Sequence, residues 1–441
     1  MIHPRTHPSA APQQLTAWLN VAAKTGGAGI SLLLYIVLAR TMTPEAFADV
    51  AVTFAWLALA ASFACFSAPL VLVRYVPETL IQGRADLARG VVQSSFVATA
   101  TFATAIAGVT VIAIRSGAIA LPRDLPQSAF IGAVLLLPSV LLLDLAGLLT
   151  SLKRPAVAEL LVNVIRPALT LVGMVALWIV LRPPIAAPSV LNVYLVASII
   201  VVLVCIAYAM SILPRELARA RPAYDIRDWV RSAGGFMAVS TVVTIHERID
   251  ILMMGLIASS SDVAVYAVAV RFAQTVVVAA SAAGAVMAPH LVERLADLRE
   301  GRLGELQVLV RNTARTAWYV SLIALAGYAA LGPLFLKLFG PHYERAYVPL
   351  VLLATGQAIA ALWGPAAAVA TLAGGPRIAI IALTCGIVVN AVLNVLLVPA
   401  LAAIGAALAT ATGMICASLV AWAGTRRCFQ LDTSVFRPRP R

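Results

Sequence analysis

Apolar residues fill twelve runs along the chain, each long enough to cross a lipid bilayer as a helix. A helix rises about 1.5 Å per residue, so about 20 residues span a hydrocarbon core of about 30 Å. The pattern predicts helices over 16–39, 47–73, 91–114, 130–150, 160–181, 190–213, 234–257, 263–289, 317–338, 347–372, 378–398 and 401–424. We therefore predict an all-α, polytopic membrane protein with about 12 transmembrane helices.

The seventh run, 234–257, differs from the others because ionisable residues occupy its middle. On a helical wheel the polar side chains fall on one continuous side and apolar side chains fill the rest. The polar side consists of Ser240, Thr241, Thr244, His246, Glu247, Arg248 and Asp250. Charged groups at membrane depth are costly and usually face a bundle interior or a water-filled cavity. One side of this helix is therefore predicted to face protein or water, and the other to face lipid.

The composition agrees with a membrane protein. The chain is 61% hydrophobic and 12% charged, with a mean hydropathy of +0.95. A soluble domain of 441 residues does not need so much apolar surface. The N-terminal residues lack an apolar segment followed by a small-residue cleavage site, so we expect no cleaved signal. The five cysteines lack metal-ligand spacing and are predicted to be small core residues.

The distribution of basic residues predicts the orientation. Most of the 32 Lys and Arg residues fall in alternate connections, and the positive-inside rule places those connections in the cytoplasm. Both termini are then cytoplasmic, and the protein is predicted to lie in the cell inner (cytoplasmic) membrane. The basic connections would contact anionic membrane lipids, which accounts for the net charge of +13 without a nucleic-acid partner.

A weak internal repeat divides the chain in two. The sequence Asp-Val-Ala-Val opens the second run at 49–52 and the eighth at 262–265. Six helices return the chain to the same side, so the repeat predicts two pseudo-symmetric six-helix lobes in parallel orientation. The predicted units are an N-terminal lobe, a basic cytoplasmic linker, a C-terminal lobe and a basic cytoplasmic tail. They cover 1–213, 214–233, 234–424 and 425–441.

Three intramembrane cations are candidates for binding an anionic ligand. Lys24 lies on the first helix, and Arg248 and Arg271 lie at similar depth on the seventh and eighth. Positive charges at this depth often line a substrate pathway. The alternatives are that these side chains reach the membrane surface along their apolar stems, or that they pair with neighbouring carboxylates.

The acidic residues and one further arginine have other predicted roles. Asp144 and Arg166 reach comparable depth on adjacent antiparallel helices, so we predict a structural ion pair, with a relay or ligand site as the alternative. Glu247 and Asp250 could pair with the arginines or bind a coupling ion. His246 is either simply hydrogen-bonded or a proton carrier.

Enzyme signatures are absent from the sequence. It has no P-loop, no zinc-ligand spacing and no nucleophile-elbow motif. We therefore predict neither an enzyme nor a resident cofactor or metal. If the chain moves a solute across the membrane, a proton, sodium or membrane-potential gradient would supply the energy.

Five groups of short motifs follow one another along both halves of the chain. They are 38–47 (LARTMTPEAF), 73–78 (VRYVPE), 248–255 (RIDILMMG) with 265–269 (VYAVA), 338–346 (LFGPHYERA), and 394–399 (NVLLVP) with 404–407 (IGAA). This ordered set resembles the polysaccharide (O-antigen and teichoic acid) flippase branch of the multidrug/oligosaccharidyl-lipid/polysaccharide exporter superfamily. Two glycines usual in that family are replaced here, one by Ala48 and one within the segment Phe66-Ser67-Ala68.

The resemblance implies two lobes that rock between inward-open and outward-open states around a central cavity. It implies an isoprenoid-diphosphate-linked oligosaccharide as cargo, moved from the inner to the outer leaflet for surface polysaccharide export. Polysaccharide polymerase or assembly proteins would be partners. The candidate cations fit this cargo, because a diphosphate is held strongly by positive charges in a low-dielectric cavity. A multidrug extruder, a major-facilitator transporter and a scaffold without transport remain alternatives.

Overall fold

The computed structural model describes residues 10–117, 125–276 and 303–436, and its regular elements there are all helices. The α-helices are α1 Ala10–Thr41, α2 Pro44–Ala64, α3 Ala68–Ile81, α4 Ala85–Arg115, α5 Leu125–Ser151, α6 Pro155–Glu159, α7 Arg166–Leu181, α8 Ala187–Ile212, α9 Arg215–Arg219, α10 Ile226–Ile257, α11 260–276, α12 Leu303–Lys337, α13 Tyr347–Ala360, α14 Ala366–Leu372 and α15 Pro376–Phe429. A π-helical stretch joins α6 to α7, and 3-10 turns flank α13. The π-helical stretch is Leu160–Ile165, and the 3-10 turns are Pro341–Ala346 and Ala361–Trp363.

This architecture confirms an all-α, multi-pass membrane protein. Within the described ranges, nine helical segments are long and apolar enough to cross a membrane. One of them, α15, holds two spans, because its 54 residues turn back at Ala402. The seventh and eighth spans correspond to α10, with its ionisable residues, and to α11, which is described as far as residue 276. The helices are therefore consistent with twelve spans in two lobes.

Helix starts and breaks follow the local chemistry. The Thr43 hydroxyl caps α2 by accepting a hydrogen bond from Ala46 N at 3.3 Å, and Pro44 occupies the first turn. The second predicted run is split into α2 and α3, because Phe66 and Ser67 adopt left-handed φ angles of 45° and 56°. This is the segment that lacks the usual glycine, the residue that adopts such angles without strain.

Two groups of helices share one apolar core. In the N-terminal lobe α2, α3, α4 and α8 pack around α5, and α1 lies along α6, the π-helical stretch and α7. In the C-terminal lobe α13, α14 and α10 pack against α15, and α12 packs against α13. α10 also packs against α2, so it joins the lobes. The largest apolar cluster includes Leu38 and Phe47 from one lobe and Tyr266 and Phe339 from the other. The predicted unit boundaries stay predictions.

The predicted linker 214–233 lies against the N-terminal lobe. Arg89 of α4 donates a hydrogen bond to the Ala220 carbonyl at 3.0 Å. The Tyr75 hydroxyl of α3 donates to the Asp228 carboxylate at 2.7 Å, and Asp228 already belongs to the first turn of α10. The beginning of α10 is therefore fastened to α3.

The chain after α15 folds back onto the C-terminal lobe, and we call residues 430–436 the terminal strap. Asp432 accepts a hydrogen bond from the Trp422 indole at 2.8 Å, and its backbone N–H donates to Gln307 at 3.0 Å. The Thr433 hydroxyl donates to the backbone of the 3-10 turn before α14 at 2.8 Å. The strap therefore ties the first turns of α12 to the ends of α13 and α15.

Candidate functional site

A small, partly open cavity lies between the lobes. Its walls come from α1 and α2 on one side and from α10 and α11 on the other. Its aromatic and polar lining consists of Tyr35, Phe54, Arg248, Arg271 and Gln274, and the remaining lining residues are small or branched apolar ones. Two of the three predicted ligand cations, which the sequence places at similar depth, thus meet in one cavity. Their role in binding stays a prediction.

Neither cavity arginine forms an ion pair with a carboxylate of the described residues. The guanidinium of Arg271 lies 4.6 Å from the centre of the Tyr35 ring and donates a hydrogen bond to Gln274 at 3.3 Å. The Nε atom of Arg248 is buried and has no hydrogen-bond partner there. Two guanidinium groups without a counter-charge in a partly dehydrated cavity favour the binding of an anion.

Asp250 belongs to a hydrogen-bond network and forms no ion pair with an arginine of the described residues. It is 3% exposed, and the Tyr266 hydroxyl of α11 donates to its carboxylate at 2.6 Å. The Thr410 hydroxyl lies 2.9 Å from the Tyr266 hydroxyl, and the Asn390 amide donates to Thr410 at 3.0 Å. Asn394 donates to the side chain of Asn390 at 2.7 Å. This network ties α10 to α11 and to both halves of α15.

The other ionisable residues of α10 have different surroundings. His246 lies beside Gly386 of α15, and its Nδ1 atom is buried without a hydrogen-bond partner in the described part of the chain. Glu247 is exposed. The polar side of α10 therefore divides between the cavity, the network around Asp250 and the contact with α15. Ion coupling through these residues stays a prediction.

Lys24 is not among the residues that line the cavity. Its ammonium lies 3.5 Å from the Glu159 carboxylate of α6, and its side chain is 60% exposed. Asn163 in the π-helical stretch donates to the same carboxylate at 2.6 Å. A Cβ atom on Gly27 would lie 2.4 Å from the Asn163 carbonyl oxygen, so glycine allows α1 to approach this stretch. Lys24 therefore lies beside a carboxylate, as one of the alternatives expects, and its role in ligand binding stays a prediction.

The predicted ion pair between Asp144 and Arg166 does not form in this structure. Asp144 is fully buried, and neither of its carboxylate oxygens has a hydrogen-bond partner among the described residues. Arg166 lies instead over the Tyr194 ring, 5.2 Å from its centre. Tyr194 belongs to α8, which packs against both α5 and α7. The wider turns of the π-helical stretch before Arg166 also change the direction in which this residue faces.

Sequence reasoning missed most of the uncharged partners at the site. Asn390 and Asn394 lie four residues apart in an apolar run, which is a signal for a shared polar face that could have been used. Thr410 gave no comparable signal. Tyr35 and Tyr194 are ordinary members of apolar runs in the sequence, so only the fold shows that arginines lie on their rings.

At the end of the bundle predicted to be outside, contacts join the two lobes, and we call them the outer closure. Arg40 at the end of α1 donates hydrogen bonds to the carbonyls of Leu338 at 2.8 Å and Lys337 at 2.6 Å. These carbonyls belong to the C-terminal end of α12, where a positive charge is favoured. Phe47 of α2 meets Tyr343 edge-on, with ring centres 5.8 Å apart.

The fold is similar to solved transporter structures. An inward-facing multidrug resistance MATE family transporter of the MOP superfamily aligns with a TM-score of 0.73 and 14% identity, over 94% of this chain and 98% of that one. The lipid II flippase MurJ, in an inward closed conformation, aligns with a TM-score of 0.72 and 14% identity, over 92% and 87%. A MOP superfamily transporter from Pyrococcus furiosus aligns with a TM-score of 0.66 and 13% identity, over 94% and 95%.

The sequence itself matches one family. No curated protein matches the chain at a significant level. At identities this low, the structural likeness establishes the fold alone. The family model described as "Polysaccharide biosynthesis protein" matches residues 16–294, which is well over half of the chain. The chain therefore belongs to the polysaccharide biosynthesis protein family.

Proposed function

We propose that this protein is a flippase that moves an isoprenoid-diphosphate-linked oligosaccharide from the inner to the outer leaflet of the cytoplasmic membrane. The observation that carries the proposal is the cavity between the lobes, in which Arg248 and Arg271 have no carboxylate partner among the described residues. The family supplies the context of polysaccharide biosynthesis.

The chemistry of the cavity suits a diphosphate. A guanidinium donates paired hydrogen bonds to phosphoryl oxygens, and such charge-assisted bonds are stronger than neutral ones. Positive charges between packed helices are weakly screened, which strengthens their attraction for a polyanion. The rings of Tyr35 and Phe54 add flat apolar surface beside the cations. A solved relative of the same fold is a lipid II flippase, so the fold accommodates a lipid-linked cargo.

Transport would proceed by alternating access of the cavity to the two leaflets. The outer closure joins Arg40 to the end of α12, so outward opening requires that these hydrogen bonds break. Both termini would lie in the cytoplasm, with the basic connections against anionic lipids. Polysaccharide polymerase or assembly proteins would receive the cargo on the outer side.

We further propose that Asp250 couples transport to an ion gradient. It is a buried carboxylate that joins three helical segments of the C-terminal lobe through Tyr266 and Thr410. A proton or a sodium ion bound there would change the charge between α10, α11 and α15. The membrane potential is the remaining source of energy, since it acts on any charged cargo.

Removal of the cavity charges tests the proposed cargo. Arg248→Ala is expected to weaken binding of an isoprenoid diphosphate roughly 10- to 150-fold, because a charge-assisted contact contributes about 1.5–3 kcal/mol. Arg248→Lys should retain part of the affinity, since it keeps the charge and loses the planar fork. Two measurements check this. The first is the affinity of each purified variant for the diphosphate. The second is the amount of surface polysaccharide made at matched expression by a host that depends on this chain.

A matched control is Arg345→Ala, which removes an exposed arginine that contacts Asp262 outside the cavity. This variant should bind and export as the unmodified chain does. Full export by Arg248→Ala would remove the arginine from the site. Recovery of export in Arg248→Ala combined with Asp250→Ala would show that Arg248 only neutralises Asp250.

A multidrug extruder is the second candidate, because a MATE family transporter shares the fold over nearly the whole chain. Cationic drugs would meet two unpaired arginines in this cavity, which disfavours their binding. Resistance to cationic compounds that depends on this chain, without any effect on surface polysaccharide, would favour the extruder.

A further inference from the structure

We propose that Arg166 is a third cation of the cargo site and that it supplies the contact from the N-terminal lobe. The inference rests on the proposed function, because it assigns an additional residue to the binding of the same diphosphate. It replaces the interpretation of Arg166 as the partner of Asp144, which the structure does not show.

A chain of aromatic contacts connects Arg166 to the cavity. Its guanidinium lies 5.2 Å from the centre of the Tyr194 ring. The Tyr194 ring packs against the Phe54 ring, with centres 4.8 Å apart, and Phe54 lines the cavity. Tyr194 also lies within electrostatic range of Arg271. Arg166 is therefore one aromatic layer away from the cavity arginines.

Arg166 has no counter-charge among the described residues. Its guanidinium forms no ion pair and no hydrogen bond there, and its Nε atom is buried without a partner. The contact with Tyr194 is a cation–π interaction, which leaves the N–H donors of the guanidinium free for other partners. The side chain is half-buried, and only its Nε atom is buried without a partner, so the terminal nitrogens remain available to an anion. An anion in the adjoining cavity would provide the missing partner.

The position of Arg166 also fits the geometry of alternating access. Arg248 and Arg271 both belong to the C-terminal lobe, and Lys24 of the N-terminal lobe is already held by Glu159. A diphosphate has two phosphoryl groups, so it can bind cations on opposite walls at once. With Arg166 on α7, one bound headgroup would contact both lobes, and its binding would stabilise the state in which the lobes are close.

Binding to the purified full-length chain in lipid nanodiscs tests this assignment. The probes are undecaprenyl diphosphate and, as a neutral control, undecaprenol. Arg166→Gln should lower the affinity for the diphosphate roughly 10- to 100-fold, as expected for one lost charge-assisted contact, and leave the affinity for the alcohol unchanged. Arg166→Lys should lose less, because it keeps the charge. A purely structural residue would alter binding of both probes together.

The failure of this inference can be told apart from failure of the proposed function. If the unmodified chain binds the diphosphate no better than the alcohol, the proposed cargo is wrong. If Arg248→Ala weakens diphosphate binding and Arg166→Gln does not, only the assignment of Arg166 is wrong. If Asp144→Asn restores binding to Arg166→Gln, the two residues act as an ion pair and the assignment is overturned.

Variants of Tyr194 keep the test decisive if Arg166→Gln does not fold. Tyr194→Phe retains the ring that supports the guanidinium and should bind the diphosphate as the unmodified chain does. Tyr194→Leu removes that support and should weaken diphosphate binding several-fold, roughly the contribution of one cation–π contact. Equal binding by both variants and by Arg166→Lys would overturn the proposal.

Discussion

Asp144 and Asp250 are both carboxylates buried within the membrane-spanning part of the chain, one in each lobe, and their surroundings are opposite. Asp144 has no hydrogen-bond partner among the described residues, although it is fully buried. Asp250 is 3% exposed and accepts a hydrogen bond from Tyr266 at 2.6 Å. The Tyr266 hydroxyl is itself in contact with Thr410. Equal burial therefore does not imply an equal role.

The different surroundings of the two carboxylates indicate different roles for them. A buried charge is costly, and the Thr99 hydroxyl near Asp144 offsets only part of that cost. The network around Asp250 can accommodate a charge because its hydroxyl and amide groups act as donors. Under the proposed function, Asp250 in the C-terminal lobe is therefore the better candidate for ion coupling, and Asp144 in the N-terminal lobe is not.

The largest effect should follow Asp250→Asn. The amide has nearly the same shape, but the charge-assisted hydrogen bond from Tyr266 becomes a neutral one. We expect export to fall roughly tenfold, because a hydrogen bond of about 1.5–3 kcal/mol becomes a neutral one of about 0.5–1.5 kcal/mol and the proposed ion site loses its charge. Surface polysaccharide measured at matched protein level checks this. Export equal to that of the unmodified chain would remove the contrast between the two carboxylates.

The second substitution, Asp144→Asn, should leave the protein level and export unchanged. A neutral amide replaces a carboxyl group whose ionised form is already disfavoured at this depth, so we expect the unfolding free energy to change by no more than about 1 kcal/mol. Thermal unfolding in detergent measures this. A lower unfolding temperature that Arg166→Gln partly restores would mean that an ion pair forms after all, and the contrast would have to be reinterpreted.

A third carboxylate, Asp432 of the terminal strap, sharpens the comparison because it lies after the last membrane helix. Burial acts to raise its pKa, but hydrogen bonds from Trp422 and Ser434 outweigh this and hold the pKa below its usual value of 3.8. The ionised Asp432 therefore stabilises the fold fully at pH values above 3.8. This contribution is lost as the pH falls below 3.8 and through the lower pKa of the folded state.

The expected result is a small loss of strap attachment at acid pH. Limited proteolysis or labelling of a cysteine placed in the strap, followed from neutral pH downwards, would detect it. In Asp432→Asn the attachment should be weaker at neutral pH and should lose this pH dependence. An unchanged pH profile in that variant would show that another group titrates.

The sequence was sufficient for the spans and for the polar side of α10, because apolar length and helical periodicity are local properties. It also placed Arg248 and Arg271 at one depth, and both line the cavity. The sequence did not show which buried charged residues contact each other. Asp144 and Arg166 match in depth, but partner choice depends on the rotation of each helix and on what lies between them. Here α8 lies against both helices, and a π-helical stretch precedes Arg166.

Tyr35 lines the cavity and also contacts Phe47, which belongs to the outer closure. Its ring lies under Arg271 and packs edge-on against Phe47, which in turn meets Tyr343 in the outer closure. An anion that drew Arg271 away from this ring would change the packing behind Phe47. Thermodynamic linkage then requires reciprocity: if occupancy loosens the outer closure, a looser closure must raise the affinity for that anion by the same factor. Under the proposed function, this aromatic ring would make cargo affinity and outward opening two measures of one coupling free energy.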